Sequence, residues 1–164
     1  MRQGDLLTIP LSDTDVVVAQ VLRSRSGVLL IAVFDGTFPA HAEISFVGRN
    51  LDLIRLIAQT MDARIGTGNW VVIDNVPVSG EVPIPIYKVQ AGPGSSWYIQ
   101  DIDGNILREA RPAEIEVLRI PKSFSPVAVE KAIRAANGIE AWQERFDDMK
   151  PGWIRAAVEL IGSS

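Results

Sequence analysis

The chain has 164 residues, 47% of them hydrophobic and 22% charged, with a formal net charge of −4 and no cysteine. A chain this long buries roughly 70% of the surface its unfolded form exposes, enough for a core without staples, and a mean hydropathy of +0.16 argues against wholesale disorder. The lack of thiols excludes disulfides, zinc-thiolate sites, iron–sulfur clusters and a cysteine nucleophile, while a pI near 5.0 disfavours a nucleic-acid partner.

The first third reads as strands. Asp5 to Pro10, Val16 to Arg23 and Val28 to Phe34 are rich in Val, Ile and Leu, and turn-formers at Ser12-Asp13-Thr14-Asp15 and Ser24-Arg25-Ser26-Gly27 separate them. This spacing predicts an antiparallel meander. Val28 to Phe34 is apolar throughout, as expected of a strand covered on both faces near the middle of a sheet. Glu43 to Val47 alternates like a further strand, and Leu51 to Met61 fits either a helix or a buried strand. A short helical turn ending at Gly66 or Gly68 precedes a strand that starts with Trp70-Val71-Val72-Ile73. Prolines 77, 83 and 85 then mark a loop or a sheet edge. Trp97 to Ile102 and Asn105 to Arg108 flank Asp103-Gly104, the signature of a two-residue hairpin.

After Ile120-Pro121 the pattern turns helical. Ser125 caps a helix with Pro126 at its first position, a buried stripe of Val129, Ala132, Ile133 and Ala136, and a stop at Gly138. Ala141 to Met149 and Trp153 to Ile161 read as two more helices, the last with Trp153, Ala157, Leu160 and Ile161 on one side. Strands first and helices last predict an α+β fold. We expect one domain over residues 1–164: a mostly antiparallel sheet, meander or partly barrel-like, over residues 1–120, with a helical tail over residues 125–164 packed on it.

No catalytic constellation stands out, and the chain is read as neither an enzyme nor a cofactor or metal binder. His41, the one histidine, lies between alanines without clustered ligands or a nucleophile-elbow sequence. Asp101-Ile102-Asp103-Gly104-Asn105 begins like a calcium loop but lacks the later ligands, and Gly66-Thr67-Gly68 and Gly92-Pro93-Gly94 lack the residues of a phosphate loop. Glu114 and Glu116 are read as the solvated edge of a strand rather than an acid/base pair. Candidate partner-binding residues are Trp97 and Tyr98, beside a glycine-rich turn, and Glu140, Glu144, Asp147 and Asp148, read as the acidic face of a helix suited to a basic partner.

Two stretches carry a family resemblance. Gly4-Asp5-Leu6-Leu7-Thr8-Ile9-Pro10-Leu11, followed by Val18-Ala19-Gln20-Val21-Leu22 and Val33-Phe34-Asp35, and then Ile65-Gly66-Thr67-Gly68-Asn69-Trp70-Val71-Val72-Ile73-Asp74-Asn75 with Val82-Pro83-Ile84-Pro85, resemble the bacterial immunity protein 26 family. The similarity spans roughly residues 3 to 120. It departs from the family at Asp74-Asn75, where the family often has glycine, and does not extend to the tail beyond Ser125.

The resemblance implies a protein that neutralises a cognate toxin by direct binding, with no catalytic residues to carry over. The short apolar run after Met1-Arg2-Gln3-Gly4-Asp5 is neither a signal peptide nor a membrane span, so a cytoplasmic location away from the membrane is expected. The competing readings are a small-ligand or peptide-binding module and an enzyme with an unrecognised carboxylate site.

Overall fold

A computed structural model describes residues 1–40 and 53–162. The expected strand at Glu43 to Val47 lies outside them. The fold is α+β, with 26% helix and 35% strand. Strands β1 (Asp5–Pro10), β2 (Asp15–Arg25) and β3 (Val28–Phe34) form the expected antiparallel meander. Ser26 and Gly27, at φ 51° and 80°, join β2 to β3. Two residues in the left-handed region give the tight turn whose twist matches the strands it joins.

Completing the sheet are β4 (Phe38–Pro39), β5 (Ile54–Met61) and β6 (Val71–Asn75), in the order β5-β3-β2-β1-β6 with the short β4 paired to β2, and the four-residue helix α1 (Ala63–Gly66) lies between β5 and β6 in the chain. The ambiguous stretch before Met61 is thus a strand from Ile54 onward. Its apolar residues pair with β3 from Val28↔Met61 to Phe34↔Ile54, and cross-strand burial decides what periodicity left open. Among the described strands the sheet is open, with β5 and β6 at its edges.

The chain divides into two compact units, one of residues 1–79 and 123–149, the other of residues 80–122 and 150–164. The C-terminal helical segments are shared between the units, residues 123–149 belonging to the larger and 150–164 to the smaller. In the larger unit, Leu7, Ile9, Val17, Ala19, Val21, Leu29, Ile31, Val33, Leu56 and Ala58 point to one face of the sheet. Helix α3 (Pro126–Ala136) covers that face with Ala128, Val129, Ala132 and Ile133, and a six-residue 3-10 helix (Glu144–Met149) adds Phe146 and Met149. Ser125 caps α3 as expected, its Oγ accepting the Ala128 N–H at 3.1 Å. Residues on the alternate positions, among them Leu6, Val18, Leu30, Ala32 and Ile57, are buried too, so β3 is covered on both faces, as its unbroken apolar run requires.

The smaller unit holds a second antiparallel sheet, β7 (Tyr87–Gln90), β8 (Trp97–Gln100) and β9 (Ile106–Glu109), in that order. Helices α2 (Pro112–Val117) and α4 (Pro151–Gly162) pack together beside it, and Ile99, Ala110, Leu118 and Ala157 form its core with Trp97, Trp153 and Ile161 packed around them. The connection from β8 to β9 runs through Asp101–Asn105 rather than a two-residue turn, because the Asp101 carboxylate accepts the N–H groups of Asp103 and Asn105, at 2.9 and 2.8 Å, and holds a wider loop. Among the described residues, no helix is long and apolar enough to cross a membrane.

Candidate partner-binding surfaces

Trp97 opens β8 and lies half-buried against the core of the smaller unit, with the Lys88 ammonium 5.1 Å from its ring centroid. Lys88 Nζ also donates to the Ile115 carbonyl at 2.7 Å. Most of the indole is therefore committed to packing and to a cation–π contact inside the unit. Tyr98, half-buried, stands across from Val89 and Glu109.

The four acidic residues belong to the larger unit and do not share a helix. Glu140 follows α3 and accepts from Arg134 Nε at 2.7 Å, whereas Glu144, Asp147 and Asp148 lie on the 3-10 helix. Asp147 accepts the Trp142 indole N–H at 2.8 Å, and Glu144 is exposed. Arg134, at the end of α3, and Arg145, on the 3-10 helix itself, dilute the negative charge of this stretch. Trp97 and Tyr98 thus sit in one unit and the carboxylates in the other.

The pair Glu114 and Glu116 lies on helix α2, not on a strand edge. Glu116 is exposed, but Glu114 is only 2% exposed and takes both Arg108 nitrogens, at 2.9 and 2.7 Å, together with the Arg111 N–H at 3.1 Å. The Arg108 bonds hold its carboxyl below the usual glutamate range, against burial, with help from the Arg111 N–H. This is a saturated structural pair that ties β9 to the start of α2. Pro112 followed by Glu114 is a helix-start signal that was present in the sequence.

Asp101 is also used up, by its own loop, and the Asn105 side-chain amide, at 2.9 Å, leads in lowering its pKa. Burial pushes Tyr87 up to about 12, which leaves its phenol protonated and poorly nucleophilic at neutral pH. His41 lies outside the described residues. Among those described, no group of three or more His, Cys, Asp or Glu side chains could hold a metal ion.

Sequence reasoning missed the far edge of the larger sheet. Val71, Val72 and Ile73 of β6, within the expected strand, are 48%, 43% and 39% exposed. Among the described residues strand β6 pairs with β1 alone, and its register skips Ile73 between Leu7↔Val72 and Leu6↔Asp74, which marks a bulge. Trp70, 1% exposed, anchors one end, its indole N–H donating to Glu130 Oε1 at 3.2 Å.

A clasp anchors the other end. Asn75 Nδ2 donates to Asp5 Oδ1 at 2.8 Å and to the Gln3 carbonyl at 3.1 Å, and the buried Gln20 donates to the Val76 carbonyl at 2.8 Å. Gly4 has φ 92°, and a Cβ there would stand 2.6 Å from the Val76 oxygen. Glycine is therefore required for the two chain segments to come this close. Burial raises the Asp5 pKa, but the Asn75 bond, the Arg2 N–H and the nearby positive charges outweigh it and lower the value overall.

Compared with protein-family models, with curated proteins and with solved structures, the chain finds no significant match.

Proposed function

We propose that this chain is a non-catalytic binding protein, the immunity partner of a bacterial toxin, which it neutralises by direct contact in the cytoplasm of the producing cell. The observation that carries the reading is the meeting of the two stretches that resemble immunity protein 26. Gly4 to Leu11 contains β1, Ile65 to Asn75 contains β6, and the two pair from Thr8↔Val71 to Asp5↔Asn75. Gly4 and Asp5 of the first stretch build the clasp with Asn75, a position at which the chain departs from the family. The pairing of these two stretches as neighbouring strands is what supports the reading. Acidic residues around the 3-10 helix would speed encounter with a basic partner.

Co-expression with the product of an adjacent toxin gene should restore growth, and Glu144→Lys should slow association at low salt without altering stability, since Glu144 is exposed. Failure of every neighbouring gene product to bind at micromolar concentration would end the immunity reading. A peptide-binding module is the second reading, favoured by the exposed apolar edge of β6.

A further inference from the structure

Resting on the binding-protein reading above, we infer that the outer edge of β6 takes up an extended strand of the partner protein, apolar where it lies beside Val71, Val72 and Ile73 and carrying a lysine or arginine opposite Asp74. Strand β6 is the last of its sheet, so the backbone groups on the side away from β1 have no strand partner among the described residues. Such a row of N–H and C=O groups recognises one thing well, another extended backbone. Three consecutive exposed apolar side chains put apolar surface beside the edge on both faces of the sheet.

Edges are usually defended by lysine, proline or a bulge. Here the five residues of β6 carry neither lysine nor proline, and the bulge at Ile73 and the single charge of Asp74 are the only such devices on it. Trp70 and the Asp5–Asn75 bond hold the strand at its two ends, so little order remains to be gained on binding. Asp74 is the one charge on the strand, exposed, with an oxygen turned to the Asn75 N–H at 2.7 Å.

That charge separates the occupants. A second copy of β6 laid antiparallel about Ile73 would put each Asp74 against the partner's Val72, desolvating two carboxylates with no cation between them. A foreign strand with a basic residue at that register satisfies the same carboxylate.

The chain contains no cysteine, so Asn69→Cys at an exposed position just before Trp70 gives a single tethering point. A short peptide alternating valine and threonine around one lysine, ending in cysteine, is joined there by a disulfide, and amide hydrogen exchange is read across Val71–Asn75. The tethered peptide should slow exchange by about tenfold or more at those of these amides that face away from β1, and a peptide N-methylated on its edge-facing nitrogens should not. Replacing the peptide lysine with glutamate should weaken the protection, and Asp74→Asn should abolish the preference for lysine.

Equal protection by the methylated peptide, or none at Val71–Asn75, overturns the inference. So does concentration-dependent dimerisation of the untethered protein that vanishes with Val72→Lys, which would make a second copy the occupant. A toxin neutralised equally well by Val72→Lys would leave the immunity reading standing and remove this one. Uptake of the tethered strand without any neighbouring toxin binding would do the reverse.

Discussion

Replacing Trp70 tests the core of the larger unit most directly. The side chain is 1% exposed and packs in the same cluster as Leu7, Ile31, Val129 and Phe146. Truncation to alanine removes a large buried apolar surface and leaves a cavity, which costs about 3–5 kcal/mol. It also removes the indole donor from Glu130. A bond to a charged acceptor contributes about 1.5–3 kcal/mol, but Glu130 retains Arg64 Nε at 3.2 Å and keeps 17% of its side chain accessible, so the low end applies.

Trp70→Phe, which keeps most of the apolar contact and loses the donor, should therefore cost about 1–2 kcal/mol, well below alanine. Urea titration read from the exchange of β2 and β3 amides reports on the larger unit alone. An unchanged slope with a shifted midpoint is the expected form. A cost for Trp70→Ala below about 1.5 kcal/mol would refute the assignment of this indole to the core.

Thr60 Oγ1 is fully buried on β5 with no hydrogen-bond partner among the described residues, so Thr60→Val, nearly isosteric and better suited to a strand, should raise stability by about 1 kcal/mol. A loss in the same urea titration would show that the hydroxyl is bonded. Glu114 has a folded pKa below its ordinary 4.5, led by the Arg108 bonds. Its contribution is complete above the unfolded value and declines as pH falls through the folded one. The smaller unit should thus lose stability from about pH 5 downward, and Glu114→Gln should flatten that acid limb in a pH series followed by exchange at β8 and β9. An unchanged acid limb would place the pH dependence elsewhere.

Much of the fold was legible because it follows from local chemistry. The β1–β3 meander is written in apolar runs broken by turn residues, and α3 in a serine, a proline and a 3.6-residue stripe. Helix α2 was missed because its six residues are too few to show a period, although Pro112 and Glu114 marked its start. The division into units was hidden for a different reason. Amphipathic stripes show that α3 and α4 must bury a face but not which sheet receives it.

The surfaces were the least readable part. Acidic residues from Glu140 to Asp148 look alike in sequence, yet Arg134 and Trp142 occupy two of them. Val71-Val72-Ile73 carries the composition of an interior strand, and only the strand order shows that it lies at an edge.

The interleaving of the two units bears on how the chain is made. Leu7, Ile9, Val17, Ala19, Ile31 and Val33 leave the ribosome early, but the helical segments that cover them, from Pro126 to Met149, follow only after all of residues 80–122. At ordinary elongation rates of about 5–20 residues per second, that apolar face waits several seconds without its cover. The contact between Gln59 and Phe124, where the Phe124 N–H reaches the Gln59 carbonyl at 2.8 Å, likewise closes only after the inserted segment has been spanned. During that interval the nascent sheet offers itself to chaperones, and to other nascent sheets.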